Sequence, residues 1–84
     1  MSGLHGAPYR VLLEQIRAAR RAADVTQEEL ANRLGADQSF VSKYERGERR
    51  LDVVELRSIC NALELDLLTF LSEFERELKA RGLA

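Results

Sequence analysis

The feature that most restricts this chain is the stretch from residue 26 to 37, where two helix starts and one helix stop fall within twelve residues. Thr26 followed by Glu29 is a capping box, in which each side chain accepts from the other residue's orphan backbone N–H. Gly35 supplies the residue type that most readily turns left-handed and ends a helix, and Asp37 is a good opener for the next one. Between these signals there is room for two turns, with Leu30, Ala31 and Leu34 on one face and Glu28, Asn32 and Arg33 elsewhere on the wheel. Two helices joined through so little chain must meet at a steep angle around Gly35 and Ala36.

The rest of the pattern is also helical. Apolar residues recur at spacings of three and four and never alternate over a useful length, so the fold class is all-α with five helices. At 84 residues the chain can enclose a single core. We expect a loose tail over 1–8 and one domain over 9–84. The first helix opens at Pro8 and runs to Ala22, with Leu12, Leu13, Ile16 and Ala19 inward. Asp52 with Glu55 opens a fourth helix whose Val53, Leu56, Ile59, Cys60 and Leu63 form a buried stripe. Asp66 caps a fifth helix that reaches residue 82.

The third helix, Gln38 to Arg46, carries the chemistry. At about 100° per residue, Gln38, Ser39, Ser42, Lys43 and Arg46 fall within roughly 140°, while Phe40, Val41 and Tyr44 occupy the opposite arc. A solvated helix surface has the same wheel. What separates the two readings is placement directly after a capped two-turn helix and a tight joint. The residue types suit a major groove, because a Gln amide pairs with adenine N6 and N7 and Lys donates to guanine O6 and N7. Arg49 and Arg50 continue past the helix, where they and Arg46 would meet phosphate oxygens and fix docking without reading sequence.

The string Thr26-Gln27-Glu28-Glu29-Leu30-Ala31, then Leu34-Gly35, Gln38-Ser39 and Val41-Ser42-Lys43-Tyr44-Glu45-Arg46-Gly47, resembles the Cro and phage-repressor (XRE) family of helix-turn-helix domains over about Leu12 to Leu71. The resemblance implies a DNA-binding regulator whose third helix lies in the major groove. It implies that Gln38, Ser39 and Lys43 face bases, with Ser42 as a weaker fourth, and that Gln27 contacts a phosphate and buttresses Gln38. Arg17 joins the expected phosphate contacts. It further implies an ion pair between Arg20 and Glu45. Asp24 and Glu64 stand where the family often has glycine at helix ends, and Asp tolerates left-handed backbone better than Glu.

One recognition helix reads few base pairs, so selectivity calls for a second copy. Leu67, Leu71, Phe74 and Leu78 lie within about 60° on the fifth helix, a seam like that of a coiled-coil pair. We therefore expect a homodimer joined through the helix over 66–82, on a palindromic operator and acting as a repressor or autoregulator. Charge is polarised in keeping with this: residues 1–50 hold nine basic against seven acidic groups, net +2, and residues 51–84 hold four against seven, net −3.

Other classes find little support. The lone histidine, His5, has no Cys, Ser or carboxylate cluster beside it, so neither catalysis nor a metal site is expected, and no cofactor or small-molecule ligand. Cys60 reads as a small buried hydrophobe. No stretch approaches a membrane span, and the expected compartment is the cytoplasm. The surviving alternative is a protein-interaction or antirepressor module that keeps the fold without binding DNA.

Overall fold

The computed structural model describes residues 6–83. They form five helices: α1 (Ala7–Ala22), α2 (Gln27–Leu34), α3 (Gln38–Glu45), α4 (Val53–Ala62) and α5 (Leu67–Ala80). The fold is all-α, as the periodicity predicts. His5 and the first part of the expected tail lie outside the described residues. Ala7 and Pro8 already belong to α1, which starts one residue before the proline.

The local signals translate into geometry. Thr26 Oγ1 accepts from the Glu29 amide at 3.0 Å while Glu29 Oε1 accepts from the Thr26 amide at 2.8 Å. Asp52 and Glu55 repeat that box at 2.7 and 2.9 Å. Asp66 accepts from the Thr69 amide at 2.9 Å. Asp37 corrects the expectation in part: it occupies the N-cap position of α3, but its side chain makes no cap hydrogen bond.

All five helices leave by the same turn. An amide one residue past a left-handed position bonds back to a carbonyl five residues earlier, at Val25→Arg20, Ala36→Ala31, Glu48→Lys43, Leu65→Cys60 and Leu83→Leu78, with lengths of 2.8 to 3.2 Å. Three of the left-handed positions are Gly35, Gly47 and Gly82, and the other two are Asp24 (φ 59°) and Glu64 (φ 60°). Both non-glycine residues therefore adopt the conformation that glycine takes at the other three turns.

Ile16, Leu30, Val41, Tyr44, Ile59 and Cys60 make the most deeply buried part of the core. Each large aliphatic residue enclosed there contributes about 1.5–3 kcal/mol relative to exposure. Val53 does not join its expected stripe: in the first turn of α4 it is 63% exposed, while Leu56, Ile59, Cys60 and Leu63 are buried. Helix α5 lies along α1, where Gln15 Nε2 donates to the Phe70 carbonyl at 2.9 Å and Arg81 meets Glu14 at 3.2 Å. Among the described residues no helix is long and apolar enough to cross a membrane.

Candidate nucleic-acid interface

Helix α3 is held from behind and open in front. Val41 and Tyr44 are wholly buried, and the half-buried Phe40 ring meets Tyr44 edge to face with centroids 5.4 Å apart. Gln38, Ser39 and Lys43 are exposed, as the wheel requires. Ser42 is half-buried, and its hydroxyl donates to the Ser39 carbonyl at 3.3 Å, which ties it to the helix more than to the outside.

A buried ion pair fixes the end of this helix to α1. Arg20 Nε and Nη2 reach the two oxygens of Glu45 at 2.7 and 3.1 Å, a bidentate geometry, and Nη1 donates to the Val25 carbonyl at 2.8 Å. The Glu45 side chain is 2% exposed. Burial pushes its carboxyl up, but the hydrogen bonds from Arg20 and Gln27 and the charges of Arg20 and Arg17 outweigh that, leaving it below the usual carboxylate range. Gln27 Nε2 donates to Glu45 Oε1 at 3.0 Å, and Gln38 Nε2 approaches Gln27 Oε1 at 3.5 Å. An acceptor-only carboxylate thus turns the Gln27 carbonyl oxygen toward Gln38. The Arg20, Glu45, Gln27 and Gln38 side chains form one continuous line.

The cations past α3 are tied differently. Arg46 pairs with Glu48 at 2.9 Å, both side chains 56% exposed. Arg49 pairs with Glu55 at 2.7 Å and lies 4.7 Å over the Phe40 ring. Arg50 is exposed, and its carbonyl accepts from Arg49 at 2.8 Å. The half-exposed Arg17 sits 3.9 Å from Glu45. Sequence reasoning names these arginines but not the carboxylates that hold Arg46 and Arg49. Only the Glu48 partner, two residues from Arg46, was within reach of a local reading.

A sequence profile of the helix-turn-helix family matches residues 16–70, and Arg20, Glu45 and the whole α2-α3 unit lie inside that span. The solved structure of an XRE-family-like protein from Pseudomonas syringae pv. tomato shares 47% identity over 90% of this chain and 93% of its own, with a TM-score of 0.85. The chain is an XRE-family helix-turn-helix protein. That family consists of DNA-binding transcription regulators, not enzymes. This XRE protein also resembles a restriction-modification controller protein at 28% identity over 84% of this chain and 90% of the other, with a TM-score of 0.77. An uncharacterized transcriptional regulator of the ATPase CF(0) region in Rhodospirillum rubrum is 36% identical over 63 residues, 75% of this chain. The XRE chain spans 58% and 29% of the lengths of the two curated relatives it matches.

On α5 the expected seam is largely used up within the XRE chain itself. Leu67 and Leu71 are half-buried against the core, Phe74 is half-buried, and Leu78 is only 6% exposed. The argument that Leu78 needs a partner helix therefore falls away, because the chain's own fold already covers it. Leu68, one residue from the seam, is 74% exposed. The wheel sets it 100° from Leu67, outside the narrow arc that the spacing picked out.

Proposed function

We propose that this chain binds double-stranded DNA as a cytoplasmic transcription regulator, with α3 in the major groove. Gln38, Ser39 and Lys43 read base edges, Ser42 contributes less, and Gln27, Arg17, Arg46, Arg49 and Arg50 meet phosphates. The observation that carries this is the two-sidedness of α3: a rear wholly enclosed at Val41 and Tyr44, and a front of exposed amide, hydroxyl and ammonium groups. Buttressing of Gln38 by Gln27 leaves the Gln38 oxygen available for an adenine amino group.

The active form in this proposal is a homodimer on a palindromic operator, with recognition helices roughly 34 Å apart. It acts as a repressor or autoregulator, and the likeness to a restriction-modification controller protein supports a regulatory role. The contact face is the outer side of α5, anchored by Leu68, with Leu67, Leu71 and Phe74 beside it. An exposed leucine flanked by half-buried apolar neighbours is a natural centre for a two-fold contact.

Duplex selection from a random pool, followed by binding at several salt concentrations, tests the reading. The expected result is an enriched palindrome whose affinity falls with a log-log slope of about −0.9 per neutralised phosphate. No enrichment and a flat salt response would leave the fold as a protein-interaction module. Sedimentation of Leu68→Glu tests the contact face and should give monomers where the parent gives dimers.

A further inference from the structure

A cleft of about 310 Å³ opens where α1 meets the end of α3, lined by Tyr9, Arg10, Leu13, Glu14, Arg17, Glu45, Arg46 and Gly47. Three guanidinium groups and two carboxylates contribute to its wall. The carboxylates are both engaged: Glu14 by Arg81 at 3.2 Å, and Glu45 by Arg20 and Gln27 at 2.7 and 3.0 Å. The cations are much less so. Arg17 reaches Glu45 only at 3.9 Å, Arg46 is held by an exposed and exchangeable partner, and among the described residues no carboxylate lies in ion-pair range of Arg10. The cleft therefore presents unneutralised positive charge.

We propose that this cleft is a phosphodiester site, and that Arg10, which neither the sequence reading nor the family match includes, is a DNA-backbone contact. The assignment rests on the proposed DNA binding and extends it to the first half of α1, before the family profile begins at residue 16. Arg10 and Arg17 are seven residues apart, so they share a face of α1 two turns apart, about 10.5 Å along its axis. Both line the same cleft as Arg46, at the end of the recognition helix. A duplex seated on α3 passes its flanking strand beside this cleft, and planar guanidinium forks suit phosphate oxygens. The chain thus holds the backbone at two points along α1, two turns apart.

Binding of a palindromic duplex by the full chain, measured at several salt concentrations for the parent, Arg10→Ala, Arg10→Glu and Lys43→Ala, tests the site. Arg10→Ala should weaken every duplex alike and reduce the salt slope by about 0.9. The gap to the parent would then shrink about 3.5-fold over a fourfold rise in salt. Arg10→Glu should weaken binding further, while an unchanged melting midpoint for both variants keeps the comparison one of binding. An unchanged affinity and slope for both variants, with Lys43→Ala still altering binding, overturns the site and leaves the DNA reading intact. A parent that binds no duplex overturns the reading itself. If inorganic phosphate at constant ionic strength raises the melting midpoint of the parent but not of Arg10→Ala, while duplex affinity is the same for both, the cleft holds a small free anion and the backbone assignment fails.

Discussion

The two sets of arginine-carboxylate pairs around α3 have the same chemistry and opposite surroundings. Arg20 and Glu45 are enclosed, bidentate and joined to Val25 and Gln27. Arg46 with Glu48, a few residues on, is bidentate as well, at 2.9 and 3.1 Å, but stands in water. A buried pair cannot exchange partners without leaving an uncompensated charge, whereas an exposed pair gives up little when a phosphate replaces its carboxylate. The first sets where α3 lies, and in the proposed complex the second keeps cations in waiting at its end.

Glu45→Ala is the strongest attempt to break this contrast. It should destabilise the fold by about 3–5 kcal/mol, because Arg20 stays buried without its counter-charge. Chemical denaturation measures it, and a loss no larger than that of Glu48→Ala would erase the distinction. Acid provides a graded version of the same experiment. The folded-state carboxyl of Glu45 lies below its ordinary 4.5, so its stabilisation is complete above that value and disappears as pH falls through the lower one. Glu29, Glu55 and Asp66 are lowered too, so the decisive measurement is the difference between parent and Glu45→Gln, which should narrow toward low pH.

Lys43→Ala sharpens the contrast from the open side. It should leave the melting midpoint in place and relax preference at one base of each half-site by about 1–3 kcal/mol of discrimination, read by competition among mutated duplexes. The smallest effect belongs to Glu48→Gln. Freed of its carboxylate, Arg46 should tighten binding to all duplexes up to a few-fold at low salt, with no change in melting midpoint. A fall in midpoint comparable to that of Glu45→Ala would mean that the surface pair is structural.

These residues also show how far the sequence could be read. Capping boxes at Thr26 and Asp52 were legible because both partners lie within four residues and the geometry is dictated by the backbone. The front and rear of α3 were legible because the 3.6-residue period assigns faces without knowing what covers them. That ignorance explains the failures. Leu78 and Val53 have similar side chains, yet the first is enclosed within the chain's own fold and the second faces solvent. Only the three-dimensional course of the helices decides between them. The pairing of Arg20 with Glu45 spans 25 residues and came from family likeness, since no local period connects them.

The shared exit turn leaves this molecule with untapped thermal tolerance. At Asp24 and Glu64 a side chain is held in the left-handed region, where crowding of Cβ costs roughly 1–2 kcal/mol, though the turn itself matches those made by glycine. Neither residue belongs to the reading face of α3 or to the exposed part of α5. Glycine at position 64 would relax that joint at a modest entropic cost in the unfolded chain. Heat resistance and target choice are therefore separable properties here, adjustable at different addresses in the same short sequence.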